Sequence, residues 1–149
     1  MKFSKIKIVS SAFTAAVFAL SGARAAADDG AASILIKVEG VAAEGAVRAA
    51  VFTSEDNWKA DKAAGGVEID VAGGETEAVV DGLKPGEAAV RAYHDLNGDG
   101  KLNMNPFGIP TEPFAFSNDA KARFGPPKYG AAKIEIVAGE TVVVLNFGG

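Results

Sequence analysis

The sequence predicts an all-β fold, a seven-stranded antiparallel β-sandwich. Short runs rich in β-branched residues recur along the chain, and Gly-containing turns separate them at a spacing that is typical of sandwiches. Most segments between the runs are too short for the helices that connect parallel strands. The chain has no Cys, so such a sandwich must be stabilised by a packed core, with or without a bound metal, rather than by disulfides.

The first 27 residues are expected to be a signal peptide. Three lysines form a basic head, an apolar run follows over residues 8–20, and small residues come after it. This pattern is typical of an export leader that is cleaved here after Ala25 or Ala27. The apolar run is too short for a transmembrane span. We therefore expect a single domain over residues 28–149, periplasmic or secreted, with no membrane span.

The charge of the expected mature chain argues against a nucleic-acid partner. The leader holds four cations and no acid, which leaves 11 basic against 19 acidic residues and a formal charge of about −8. Binding to nucleic acid requires a basic surface, whereas an acidic surface is compatible with cations.

The predicted strands share β-branched or alternating residues bounded by turn-forming Gly, Pro or Asp. They cover residues 34–38, 47–53, 67–71, 77–80, 87–94, 134–137 and 141–147. The run at 67–71 alternates strictly, so one face of that strand should meet water. The run at 142–145 is apolar on both faces, which places the last strand inside a sheet. Residues 52–65 are expected to contain one or two helical turns.

The segment 96–133 has no clear strand, and a connection of this length is usually functional or organised by a metal. Five of the six prolines lie in it. Its aromatic residues are Phe107, Phe114, Phe116, Phe124 and Tyr129. We expect a stiff segment that folds back over the sandwich, because disordered segments are poor in aromatic residues. A short helix is expected at 118–124.

The residues that follow the fifth run have the spacing of a calcium loop. Asp95, Asn97 and Asp99 stand at alternate positions, and Gly100 follows them. In the EF-hand loop, oxygen side chains occupy places one, three and five, and Gly at place six permits a sharp turn. A strand rather than a helix enters this loop. The sequence therefore predicts an EF-hand-like metal loop without the EF-hand helices.

The remaining ligands of this loop are incomplete. Lys101 offers a backbone carbonyl at place seven and Asn103 a side chain at place nine, but Pro106 replaces the usual Glu at place twelve. Glu112, between two prolines, is the preferred substitute, with Asn105 and Asp119 as other candidates. With so few carboxylates, calcium affinity should be weak, with a Kd of roughly 10⁻⁴ to 10⁻³ M. A metal-free turn of Asn, Asp and Gly is the alternative.

His94 is the only histidine of the chain and precedes Asp95. It could serve as a general base beside the metal, or it could be a half-buried, hydrogen-bonded residue at the end of a strand. The second interpretation is favoured. A single His also supports neither a Ser-His-Asp nor a Cys-His site.

Several motifs of the second half of the chain occur together in one protein family. They are Leu83-Lys84-Pro85-Gly86, the stretch from Ala89 to Asn103, Phe107 to Pro113, Phe116-Ser117-Asn118 and Phe124-Gly125-Pro126-Pro127. With these motifs the chain resembles a secreted bacterial family catalogued as domain of unknown function 2141. Its Leu-x-Pro-Gly turn is also similar to that of transthyretin-like modules, which implies a seven-stranded prealbumin-like fold. The resemblance implies no reaction.

These observations predict an exported, non-enzymatic module of unknown specific role, stabilised by a calcium-type loop, that binds an envelope or extracellular partner, protein or glycan. The aromatic residues of the long segment would form the contact patch. The alternative is a metal-assisted periplasmic hydrolase that uses His94 or Glu112, so enzymatic activity is left open. Outward-facing phenylalanines would favour the contact patch, and inward-facing ones a structural lid.

Overall fold

The structure is a computed structural model that describes residues 30–148. The expected signal peptide lies outside the described residues. Within them the chain is mostly β and forms two sheets, in agreement with the predicted β-sandwich. None of the helices in this part of the chain is long and apolar enough to cross a membrane.

Eight strands and two short α-helices make up the described fold. The strands are β1 (Ala32–Glu39), β2 (Ala46–Phe52), β3 (Gly65–Ile69), β4 (Glu77–Leu83), β5 (Gly86–Asp95), β6 (Phe114–Phe116), β7 (Ile134–Ile136) and β8 (Gly139–Asn146). The helices are α1 (Glu55–Lys59) and α2 (Tyr129–Ala132), and a 3-10 turn covers Ser117–Asp119. Ser54 caps the N-terminus of helix α1, and its hydroxyl accepts a hydrogen bond from the N–H of Asn57 at 3.2 Å.

The smaller sheet has the strand order β4-β1-β8, and the larger one has the order β3-β2-β5-β6 with β7 paired to β5. Strand β5 is therefore central to the larger sheet and carries Asp95 at its end. The side chains of β1 alternate between the core and the outer face, as expected for a strand that is covered on one side.

The number of strands and one strand direction differ from the prediction. Strand β6 is the additional strand, and it pairs with Arg91–Tyr93 of β5. Three residues are too few to show a period of two, and a proline precedes them, so the sequence does not reveal this strand. In addition, β1 pairs with β8 in the parallel direction, from Ala32 opposite Gly139 to Glu39 opposite Asn146.

Strand β8 lies at the edge of the smaller sheet rather than inside it. Its inward residues Val143 and Leu145 are buried, whereas Val142 and Val144 are exposed. The run that is apolar on both faces therefore marks an apolar outer surface and not a central strand.

Two apolar clusters lie on the two faces of the larger sheet. The cluster between the sheets includes Ile34, Ile36, Val51 and Leu145, all fully buried, and each such side chain contributes about 1.5–3 kcal/mol by its burial. The second cluster, on the other face of β5, contains Phe52, Trp58, Ala89, Phe116, Tyr129 and Ala132. The long segment thus folds back over the sandwich.

The helix expected at 118–124 is absent from the described structure. The 3-10 turn stops at Asp119, because Asn118 and Asp119 both have left-handed backbone angles, with φ of 57° and 51°. Asn and Asp tolerate this conformation better than most residues, and two such residues in succession end a helix.

Candidate functional site: the Asp95 loop

The residues predicted as a metal loop form a compact turn at the end of β5, which we call the Asp95 loop (residues 95–103). Gly100 adopts a left-handed backbone angle, with φ of 77°, at the place where the pattern requires Gly for the turn. The turn carries the chain from the centre of the larger sheet into the long segment.

The side chain of Asp95 is completely buried and organises the loop. Its Oδ1 accepts hydrogen bonds from the N–H groups of Gly98 at 2.8 Å and Asp99 at 3.2 Å. Its Oδ2 accepts from the N–H of Gly100 at 2.9 Å and from Nε of Arg48 at 2.9 Å. A carboxylate offers about four acceptor positions, so the loop and Arg48 occupy all of them.

These contacts hold the pKa of Asp95 below its usual range. The hydrogen bond from Arg48 is the largest cause, and the N–H groups of Gly100 and Gly98 add to it, whereas burial opposes the shift. Donors directed at a carboxylate stabilise its charged form. Asp95 is therefore an ionised acceptor at neutral pH.

Arg48 and Gly45 belong to this site, and sequence reasoning missed both. Arg48 on β2 also forms an ion pair with Glu68 at 2.6 Å. Gly45 packs so closely on the carbonyl of Asp95 that a Cβ atom there would collide with it. The pairing of β2 with β5 brings these residues to Asp95, and no local motif signals that pairing.

The exposed side of the Asp95 loop carries three polar side chains that bind one another. Nδ2 of Asn97 donates to Oδ1 of Asn103 at 3.0 Å, and Nδ2 of Asn103 donates to Oδ2 of Asp99 at 2.8 Å. The N–H of Lys101 donates to Oδ1 of Asp99 at 2.9 Å. The bond from Asn103, followed by the one from Lys101, lowers the pKa of Asp99.

Glu112 folds back onto the Asp95 loop from the long segment. Its Oε1 accepts from the N–H of Leu96 at 3.0 Å, and its Oε2 accepts from the N–H of Asn103 at 3.0 Å. Because Glu112 is buried, these two charge-assisted bonds are protected from water. Glu112 thus joins the two ends of the loop by hydrogen bonds.

His94 is buried and engaged by backbone groups. Its Nε2 lies 2.5 Å from the carbonyl oxygen of Glu44, so this nitrogen is assigned the proton, and its backbone N–H donates to the carbonyl of Pro113 at 2.8 Å. The ring packs edge-on against Phe147, with 6.4 Å between the ring centroids. His94 therefore has the bonding of a structural strand-end residue.

The carboxylates of the loop act mainly as acceptors for the protein's own donors. In the described part of the chain, no group of three His, Cys, Asp or Glu side chains is placed to hold a metal ion. On the exposed side of the loop, the polar ends of Asn97, Asp99 and Asn103 meet. A flip of either amide there exchanges a donor for an acceptor oxygen.

Beyond the Asp95 loop, residues 103–111 form a hairpin-like turn that we call the tip loop. Met104 and Pro110 form a β-bridge, and the N–H of Thr111 donates to the carbonyl of Asn103 at 2.9 Å. Oδ1 of Asn105 accepts from two N–H groups at the turn, at 2.9 and 3.0 Å. The tip loop is therefore held by its own hydrogen bonds.

The sequence left open whether the phenylalanines of the long segment face outward or inward, and the structure shows two of each. Phe107 on the tip loop is 87% exposed and Phe124 is 113% exposed. Phe116 is buried, and the half-buried Phe114 packs on it at 5.7 Å between ring centroids. Part of the segment is thus a lid on the second cluster, and part projects into solvent.

A cleft of about 390 Å³ lies between β6 and the end of β8. Its lining includes Phe114, Lys121 and Phe147, but neither His94 nor Glu112. The two residues that sequence reasoning considered for catalysis therefore lie behind the lining of this cleft, with His94 packed against Phe147, and do not face into it.

Comparison with known proteins gives a family and no function. No curated protein matches the chain, and no solved structure matches it. The model of one family, described as an uncharacterized protein conserved in bacteria (DUF2141), matches residues 36–144. The match begins within β1 and ends within β8, and it includes the Asp95 loop and the tip loop; the chain therefore belongs to this bacterial family.

Proposed function

We propose that this protein is an exported, non-enzymatic β-sandwich module whose tip loop binds an envelope or extracellular partner, a protein or a glycan. Export to the periplasm or beyond rests on the leader pattern of the sequence. The observation that carries the binding role is the tip loop itself. It is an ordered turn that exposes Met104, Phe107 and Ile109 together, and contiguous exposed apolar side chains mark interaction sites.

The base of the tip loop supports this role. Two hydrogen bonds join the start of the tip loop to its end. The N–H of Asn103 donates to the carboxylate of Glu112, and the N–H of Thr111 donates to the carbonyl of Asn103. The backbone hydrogen bond from His94 to Pro113 connects this base to β5. A preformed loop loses little conformational entropy when it binds, so more of the contact energy appears as affinity.

The alternative hydrolase has no supporting geometry in the described residues. His94 and Glu112 are buried, and backbone groups hold Nε2 of His94 and both carboxylate oxygens of Glu112. A general base must reach a proton of the substrate, and neither group has a free path to one. We retain the non-enzymatic role.

We also propose that the exposed side of the Asp95 loop binds calcium weakly. Asp99, Asn97, Asn103 and the carbonyl of Lys101 would supply oxygen atoms, while Asp95 and Glu112 hold the backbone around them. Oxygen ligands of this kind suit calcium. Because the hydrogen bonds of Asp95 and Glu112 already close the loop, the ion would stabilise the loop conformation further and is not needed to form it.

We further propose that the sandwich is of the prealbumin-like type. The Leu83–Gly86 turn from β4 into β5, where the chain passes from the smaller to the larger sheet, supports this assignment. An experimental structure of the chain would test it, and a strand order that departs from that type would contradict it.

Site-specific photocrosslinking tests the binding role. A photoreactive amino acid at position 107, in the protein expressed in its exporting cell, should give one discrete adduct with the partner. The matched control places the same amino acid at Lys84, an exposed residue in the turn between β4 and β5. No adduct at position 107, or the same adducts from both positions, would overturn the proposal.

A further inference from the structure

A second projecting element lies on the long segment, between the 3-10 turn and α2. We call residues 119–128 the basic turn. Its alternate residues face in two directions: Ala120 and Ala122 pack against the second cluster, while Lys121 and Arg123 are exposed. The inner face thus anchors the turn, and the outer face presents charge.

The basic turn is an exception in an acidic protein. Among the described residues, six cations form no ion pair with an acid: Lys62, Lys84, Lys101, Lys121, Arg123 and Lys128. Three of these six lie in the basic turn, and the sequence has no Asp or Glu from position 120 to position 134. Asp119 opens the turn, so its outer surface has a net positive charge.

Glu55, an acid that already belongs to an ion pair, does not neutralise this surface. The charge of Lys128 reaches Glu55, but the carboxylate of Glu55 is bound to Lys59 at 2.8 Å. Lys121 and Arg123 have no acidic partner in the part of the chain that the structure describes. At physiological ionic strength, charges farther away than about 8 Å are largely screened, so the overall negative charge does not prevent a local contact with anions.

Phe124 stands at the centre of the basic turn and is completely exposed. Its relative exposure is 113%, and its backbone has a left-handed φ of 56°. A bulky residue rarely adopts this conformation, and strained positions of this kind cluster at functional sites. The aromatic ring therefore stands in solvent at a strained backbone position, although burial would be favourable for it.

The two ends of the basic turn are fixed to the fold. Nδ2 of Asn118 donates to the carbonyl of Ala131 at 2.9 Å. On the other side, Nε1 of Trp58 donates to the carbonyl of Pro127 at 3.1 Å. The ring and the cations are thus presented from a firm base rather than from a free tail.

We infer that the basic turn docks on the surface of an anionic phospholipid bilayer. Lys121, Arg123 and Lys128 contact the headgroup phosphates, and the ring of Phe124 enters the boundary between headgroups and acyl chains. Basic residues beside an exposed aromatic side chain are what such a boundary binds. A soluble polyanion would use the cations alone and would leave the ring in water. The inference does not depend on the partner of the tip loop.

Vesicle co-sedimentation tests this inference with the chain from Asp28 onward, which contains every described element. Mixed phosphatidylcholine–phosphatidylglycerol vesicles should bind the protein, and phosphatidylcholine vesicles should not. The double variant K121Q/R123Q should lower the partition coefficient about 25-fold, since each cation near an anionic surface contributes about fivefold. Phe124→Ala should lower it about tenfold, because the ring loses its apolar environment.

Matched controls separate the basic turn from the rest of the surface. K62Q/K84Q makes the same change in charge elsewhere, and Val137→Ala removes part of an exposed apolar side chain from another surface. Both should bind like the original protein, and all variants should keep its melting temperature. The inference is overturned by no binding to anionic vesicles, by equal binding to neutral ones, or by an equal loss in the controls. It is also overturned if heparin displaces the protein and Phe124→Ala has no effect, which would indicate a soluble polyanion.

Discussion

At the scale of single residues, Asp95 shows how a pattern for metal binding can serve the backbone. The alternate oxygen side chains predicted a calcium-type loop, and the loop does close around Asp95. However, three N–H groups and Arg48 fill the acceptor positions of its carboxylate. A buried carboxylate is costly unless it is paired and hydrogen-bonded, so Asp95 and Arg48 depend on each other.

The lowered pKa of Asp95 predicts a loss of stability in acid. A carboxyl group whose pKa is lower in the folded than in the unfolded state stabilises the fold above its unfolded pKa, which is about 3.9 for Asp. That contribution is lost as the pH falls through the lower, folded pKa. In this window unfolding takes up protons, and Asp95→Asn should reduce the uptake by up to about one proton. Urea unfolding at a series of pH values from neutral to strongly acidic measures it.

The partner of Asp95 provides the control for this measurement. Arg48→Gln removes the largest cause of the pKa shift but leaves the loop N–H groups in place. Its dependence on pH should therefore fall between those of the original protein and Asp95→Asn. If Asp95→Asn unfolds with the same proton uptake as the original protein, the proposed role of this carboxylate is wrong.

At the scale of elements, Ser117 closes a gap in the larger sheet between β6 and β7. Strand β6 pairs with Arg91–Tyr93 and β7 with Gly86–Ala88, which leaves Val90 without a strand partner there. The Ser117 hydroxyl accepts from the N–H of Val90 at 2.8 Å and donates to the carbonyl of Ala132 at 2.5 Å. One side chain thus replaces a residue of the strand ladder.

Replacing Ser117 with Ala should destabilise the protein by about 1–3 kcal/mol, because the N–H of Val90 and the carbonyl of Ala132 would remain buried without partners. Urea denaturation measures the loss, and faster amide hydrogen exchange at Val90 would locate it. Ser33→Ala is the matched control, since the Ser33 hydroxyl is exposed and its loss should change stability by less than about 0.5 kcal/mol. Equal effects of the two substitutions would contradict this role.

The same elements show how far sequence patterns reach. All seven predicted runs form strands, because alternation and turn residues are local signals. Strand β6 and the function of Ser117 depend on what lies beside them in the sheet, and three residues carry no periodicity. Glu112 could be named from its place between prolines, and it does reach the loop. Arg48 could not be named from the sequence, because its contact with Asp95 arises from the register in which β2 pairs with β5.

At the scale of the whole molecule, stability comes from the core between the two sheets, and the Asp95 loop connects that core to the long segment. The described fold contains eight strands, and side chains from both sheets meet in one cluster. The loop is closed by the protein's own donors. Any bound cation therefore stabilises a structure that exists without it.

Calcium should accordingly raise the melting temperature without changing the fold. A ligand that binds only the folded state stabilises it by RT ln(1 + [L]/Kd), which is about 1.4 kcal/mol at roughly ten times the Kd. With a Kd of about 10⁻⁴ to 10⁻³ M, calcium at about 10 mM should produce a shift of several degrees, and excess chelator should reverse it. Far-ultraviolet circular dichroism below the transition should be the same with and without calcium.

Asp99→Ala should abolish the shift, because it removes the carboxylate on the exposed side of the loop. Asp81→Ala, a change of an exposed acid on β4, should leave the shift intact. An unchanged melting temperature at that calcium concentration would refute the calcium proposal, while the role of the Asp95 and Glu112 hydrogen bonds would stand, since these contacts need no ion.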